Sequence, residues 1–139
     1  MTYDRNNIFA KILRGEIPSV RVYEDEQTLV FMDVMPQADG HTLVIPKEEA
    51  EDLFSVSPGG AAALMRTTQK VARAVKKAMN SPGIMIAQLN GRDAGQSVFH
   101  VHFHIIPRSG GADFRLHAHD MEKPEKLHAF AERIRAAME

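Results

Sequence analysis

"VFHVHFHIIPR", residues 98–108, decides how this chain folds. His100, His102 and His104 stand at every second position, with Val101, Phe103 and Ile105 interleaved. Side chains alternate across a β-strand, so residues two apart share a face, roughly 6.5–7 Å from one another. The segment therefore reads as a strand over 98–107 with three imidazoles on one side and three apolar side chains turned into a core. A merely solvated strand face draws more often on threonine, lysine or glutamate. Three of the chain's seven histidines on one face need a further explanation.

Upstream, "NGRDAGQS" (90–97) is a glycine-bearing loop, and "PGIMIAQLN" (82–90) is another strand after a turn at Pro82–Gly83. Before it lies "SPGGAAALMRTTQKVARAVKKAMN". Ser57 is its N-cap and Pro58 its first helical residue. Leu64, Val71, Val75 and Met79 recur at helical spacing, with Arg66, Lys70, Arg73, Lys76 and Lys77 on the other side. "SVRVYEDEQTLVFMDV" reads as a hairpin over 19–24 and 28–34 that turns at "EDEQ". "GHTLVIPK" is a strand over 40–46, ended by Pro46, which has no ladder donor. Asn6 or Asn7 caps a short helix, "IFAKILRG", stopped by Gly15. "PEKLHAFAERIRAAM" closes the chain as an amphipathic helix.

The sum is an α+β fold: a five-stranded antiparallel sheet with one long and two shorter helices. With 139 residues and neither repeat nor linker, this is a single domain over 1–139. A sheet with a free edge leaves room for a dimer that extends it. The net charge of −1 argues against general binding to nucleic acid or an anionic membrane. No run of about 18 apolar residues could span a bilayer. The start "MTYDRNNIF" has no apolar signal region, and there is no cysteine, so a cytoplasmic protein is expected.

The histidine face allows three readings. It could be a solvated surface. It could be a metal site, since His-x-His on a strand supplies two ligands, but no Asp or Glu sits in an obvious supporting position. It could hold a nucleophilic imidazole, if the second nitrogen donates to a fixed acceptor that sets the tautomer. The glycine loop favours phosphate beside the nucleophile, because closely spaced backbone N–H groups cup anions. Elsewhere, "LHAHD" with His117, His119 and Asp120 reads as a solvated loop rather than a metal site. His128 is expected on the exposed side of the last helix. Arg108 and Arg115 are candidates for contacts to phosphate or leaving group.

"AGQSVFHVHFHIIPR" resembles the histidine triad motif, His-φ-His-φ-His-φ-φ with φ apolar, of the HIT family. "NNIFAKILRGEIPSVRVYEDEQTLVFMDVMPQADGHTLVIPK" resembles the N-terminal half of its Hint branch of nucleotide hydrolases and transferases. The resemblance spans a core of about 6–108 and leaves 109–139 as an extension. It implies a homodimer in which the long helix and the fifth-strand region join two protomers into a ten-stranded sheet. It also implies cleavage of purine nucleoside phosphoramidates, such as adenosine 5′-phosphoramidate, at the α-phosphate. The route is a covalent nucleotidyl-histidine, AMP is a product, and no metal or other cofactor is required. Two alternatives stay open: hydrolysis of dinucleoside polyphosphates such as diadenosine tetraphosphate, and a nucleotide-binding module with incidental activity.

By the same resemblance His102 is the nucleophile, His104 contacts phosphate, and His100 and His41 belong to the supporting hydrogen bonds. Ser97 stands near the leaving group, with Gln96 beside it, and the Gly95–Val98 backbone helps hold phosphate. Asp33, flanked by Val34, takes the ribose hydroxyls. Ile8, Phe9, Ile12 and Phe31 form the slot for the base, and Asn90 matches the asparagine before the loop. The zinc site that some bacterial relatives build on an N-terminal cysteine pair is absent. The longer C-terminal end leaves the leaving-group preference open.

Overall fold

The structure, a computed structural model, describes residues 2–110 and 120–138. The Asn7 side chain accepts from the Ala10 amide and caps helix α1 (Ile8–Leu13). Strands β1 (Arg21–Glu24) and β2 (Thr28–Met32) form the hairpin. Asp25 shapes its turn by accepting from the Gln27 and Thr28 amides. Strand β3 (Thr42–Pro46) precedes helix α2 (Pro58–Ala78), which starts where the Ser57 hydroxyl accepts from the Gly60 amide. Strands β4 (Gly83–Ala87) and β5 (Phe103–Arg108) and helix α3 (Pro124–Ala137) complete the order.

All pairings are antiparallel, in the order β1-β2-β3-β5-β4. This is the five-stranded α+β architecture expected from the periodicity. The chain crosses over through α2 to the far edge, and β5 returns between β3 and β4. Alternation then divides the sheet. Val30, Met32, Val44, Phe103 and Ile105 pack against α2 and α3, with Leu64, Val71, Phe130 and Ile134 in the same cluster. Leu29, Phe31, Leu43 and Ile45 face Phe9 and Ile12 of α1 on the other side. His104 pairs with Leu43 and so shares this second face.

Several boundaries differ from the sequence expectations, each for a local reason. Pairing in the fifth strand begins at Phe103, not at residue 98. Before that point other bonds replace the ladder: the Val101 amide donates to the Ala50 carbonyl, and His100 Nε2 donates to the Pro46 carbonyl. Val101 still packs in the helix-side core, so the alternation of faces outlasts the pairing. Strand β4 stops at Ala87 rather than 90, because the Gln88 and Asn90 side chains bond each other. Strand β3 starts at Thr42 because Gly40 holds φ +92°, where a Cβ would meet Met79 Cγ at 2.7 Å. Strand β5 has neighbours on both sides, so it offers no edge for a partner protomer. Among the described strands the edges are β1 and β4.

Arg115, His117 and His119 lie outside the described residues. His128 is exposed on α3, as expected. None of the described helices is long and apolar enough to cross a membrane.

Candidate active site

The end of β2, the start of β3 and the run into β5 bring four histidines and one carboxylate together. In the loop after β2, the Gln37 backbone N–H donates to His41 Nδ1 at 3.0 Å. That fixes Nδ1 as an acceptor, so a neutral His41 carries its proton on Nε2. His41 Nε2 lies 3.0 Å from His104 Nδ1 and 3.4 Å from Asp33 Oδ2. The proton is directed between the two. His104, accepting at Nδ1, carries its own proton on Nε2.

A second set of bonds fixes the other two rings. His100 is fully buried, and its Nε2–H donates to the Pro46 carbonyl at 2.8 Å. The Tyr3 hydroxyl meets its Nδ1. His102 Nδ1–H donates to the backbone carbonyl of His100 at 2.7 Å, which leaves the lone pair of His102 on Nε2. The His102 and His104 rings are 5.0 Å apart, centroid to centroid. One of two neighbouring rings thus offers a nitrogen lone pair and the other an N–H, a pairing that suits attack on a centre that carries anionic oxygens.

Both rings line a cavity of about 610 Å³, within the usual range for small-ligand sites. Ile8, Phe9, Ile12 and Phe31 form one apolar side of it, and Asp33 with Val34 forms part of the rim. Ser97 and Val98 border it from the glycine loop. Phe9 also meets the His102 ring edge-on at 4.9 Å. His41 and His100 do not line the cavity; His41 bonds the His104 ring, and the His100 backbone carbonyl bonds the His102 ring.

Asn90, Gly95 and Gln96 do not line the cavity. The Asn90 Oδ1 accepts from the Leu53 amide and from Gln88. The Gln96 side chain is a buried clasp: it accepts from the Gly91 amide and donates to the carbonyls of Glu51 and Val98. It shapes the loop from inside. Conversely, Ile17, Pro18, Ser19, Met35, Leu43 and Met121 line the cavity without having been singled out from the sequence. Alternation with Ile45 could have found Leu43. No local pattern marks Met121.

The sequence offered no carboxylate in support of the histidines, but the fold brings in Asp33. One ligand atom each from Asp33, His41 and His104 lie within 4.8 Å of one another. A metal there would need the lone pair of His41 Nε2. Its proton would then move to Nδ1 and face the Gln37 N–H. The donor pattern therefore favours a hydrogen-bond relay over metal ligation.

A family model described as HIT domain matches residues 14–111. The chain belongs to the HIT family. A Bacillus subtilis protein named hit is 45% identical over 127 residues, covering 88% of this chain and 87% of that protein. A Schizosaccharomyces pombe protein, named as the adenosine 5′-monophosphoramidase hnt1, is 43% identical over 101 residues, 73% of each chain. The crystal structure of a Hit-like protein from Bartonella henselae, described as involved in cell-cycle regulation, is also similar. Its TM-score is 0.92 at 47% identity, covering 99% of this chain and 100% of that one.

The HIT span ends at residue 111, yet the chain beyond it reaches the site. The Glu122 amide donates to the Val34 carbonyl at 2.9 Å, and this bond brings Met121 to the cavity rim next to Met35. Among the described residues, the extension therefore meets the site on the Asp33 side.

Burial pushes the His100 imidazole below its ordinary pKa, while the Pro46 carbonyl and the Glu49 carboxylate act in the opposite direction. With the folded-state value lowered, the unfolded chain binds the extra proton first. The HIT domain should therefore keep its stability above about pH 6.5 and lose part of it as pH falls toward the folded-state pKa. Urea unfolding between pH 7.5 and 5 should show this loss, and His100→Gln should flatten the slope.

Proposed function

We propose that this HIT protein hydrolyses purine nucleoside phosphoramidates of the adenosine 5′-phosphoramidate type at the α-phosphate, through a nucleotidyl-histidine on His102. The observation that carries the reading is the 2.7 Å bond from His102 Nδ1–H to the His100 carbonyl. It commits the lone pair to Nε2, on a ring that lines a cavity of nucleotide size. The name of the Schizosaccharomyces pombe relative adds support.

In this mechanism the base occupies the slot of Ile8, Phe9, Ile12 and Phe31, and the ribose hydroxyls donate to Asp33. His102 Nε2 attacks phosphorus, a P–N bond forms to His102, and the P–N bond to the leaving group breaks. The amine departs with a proton passed to it from solvent through the Ser97 hydroxyl, and the later hydrolysis returns one proton to solvent. The His104 Nε2–H and the backbone near Ser97 and Val98 stabilise the charge on the phosphate oxygens, preorganised where it concentrates. Water then cleaves the His102–phosphorus bond, which gives AMP and restores neutral His102. The relay from the Gln37 amide through His41 keeps His104 a donor throughout the cycle.

The reading includes a homodimer. Its support is the open β4 edge beside α2. Met65 and Ile86 are 54% and 44% exposed there, and with Ala72 and Ile84 they border a shallow apolar groove. Two such edges paired antiparallel would give a ten-stranded sheet.

His102→Ala should lower kcat on adenosine 5′-phosphoramidate on the order of 10⁴-fold or more while nucleotide binding persists. Acid-quenched parent enzyme should yield a nucleotidyl adduct at His102. Turnover by His102→Ala at the parental rate would sink the mechanism, and faster cleavage of diadenosine tetraphosphate would move the substrate class. Asp33→Asn should raise KM roughly tenfold to a hundredfold and should hardly change KM for a 2′,3′-dideoxy substrate. Ile86→Glu should turn a dimer into a monomer by light scattering; a parent protein that already runs as a monomer would remove the dimer from the reading.

A further inference from the structure

Tyr3 stands outside the 14–111 span that defines the family, yet its hydroxyl lies 2.5 Å from His100 Nδ1, 97 residues along the chain. The His100 ring is held at both nitrogens. Its Nε2–H is committed to the Pro46 carbonyl, so a neutral ring accepts at Nδ1 and the phenol is the donor. Burial raises the pKa of Tyr3 above its usual value, which keeps the phenol protonated. The two rings meet edge-on with centroids 5.6 Å apart.

The arm that carries Tyr3 is tied down at several points. Asp4 accepts from the Asn6 and Asn7 amides, through its carboxylate and its backbone carbonyl respectively. Arg5 pairs with Glu49 at 3.2 Å, and Arg14 donates to the Arg5 carbonyl at 2.8 Å. Asn7 then caps α1, the helix that carries Ile8, Phe9 and Ile12 into the cavity. Phe9 completes the circuit, with its ring edge-on to His100 at 6.5 Å and to His102 at 4.9 Å.

We propose that Tyr3 is a positioning residue for the nucleophile. Its hydroxyl holds His100 as the Nε2–H tautomer in one orientation, and so fixes the carbonyl to which His102 Nδ1–H donates. The sequence of bonds runs from the Tyr3 hydroxyl to the His100 ring, from that ring to the end of β3, and from the His100 backbone to His102. Removing the phenol leaves a buried acceptor without its donor. The ring then rotates or admits water, and either response shifts the backbone at residue 100. The effect on turnover rests on His102 being the nucleophile. The effect on the His102 tautomer does not.

Tyr3→Phe tests this, because it removes the hydroxyl and keeps the ring. With adenosine 5′-phosphoramidate, kcat should fall roughly tenfold while KM stays at the parental value and circular dichroism shows an intact fold. In ¹⁵N-histidine NMR of the unliganded protein, His102 should be a single Nδ1–H tautomer in the parent and a mixture in Tyr3→Phe. A role limited to ring packing predicts a Tyr3→Phe protein identical to the parent, with loss only in Tyr3→Ala. That result overturns the proposal. If the parent turns over no nucleotide, the proposed function fails and the NMR comparison decides the case of Tyr3. An unchanged His102 signal in Tyr3→Phe overturns the positioning role whatever the assay gives.

Discussion

The hydrogen bond from His102 Nδ1 to the carbonyl of His100 is the constraint on which the site depends. A neutral imidazole has one proton for two nitrogens, and this bond decides which nitrogen keeps the lone pair. Its acceptor is available because of where β5 begins. In a paired strand each backbone carbonyl points along the sheet at a neighbour. Residues 98–102 run beside the sheet without joining its ladder, so the carbonyl at residue 100 accepts from a side chain two residues on. The lost pairing is a local cost, and it is also what makes this nitrogen geometry possible.

The other histidines show the same economy. Two of the buried rings are fixed by backbone as well as by side chains: His41 by the Gln37 amide and His100 by the Pro46 carbonyl. Backbone partners cannot change rotamer or protonation state, so the tautomers they set are durable. An unpartnered buried polar group costs about 1–3 kcal/mol, which makes alternative proton placements in this cluster expensive. Asp33 contributes through His41 as well as through the cavity, since one of its oxygens lies 3.4 Å from the ring nitrogen that faces His104. In the proposed reading, the carboxylate that takes the ribose hydroxyls is thereby linked through His41 to the ring that meets phosphate.

Much of this arrangement is legible in the sequence because a two-residue period has a direct geometric meaning. Alternation alone separates the three histidines from Val101, Phe103 and Ile105, and helical spacing locates α2. The approach of Asp33 to His41 is harder to read. It follows from the β2–β3 register, in which Met32 opposes Thr42 and the next step outward brings residue 33 to residue 41. A tight two-residue turn would announce that register, but the long connection here does not. The polar residues of the glycine loop invite a ligand-binding interpretation. Gln96 and Asn90 instead use their amides within the loop and on Leu53, and sequence type cannot separate those uses. Tyr3 and Met121 reach the site from irregular segments, where no period applies.

The division of the sheet between a helix-packed face and a cavity face has a consequence for how chain length can vary. Every residue of β5 is committed to one side or the other. Inserting or deleting one residue between Val98 and Ile105 would exchange the sides, sending imidazoles toward α2 and valine and phenylalanine into the cavity. Such a change removes the core and the chemistry in the same stroke, so it leaves no partly working intermediate. The pairing of β5 with its described neighbours ends at Arg108. Length differences between chains of this kind should therefore collect beyond residue 108, while the spacing of the three histidines stays locked to the packing beneath them.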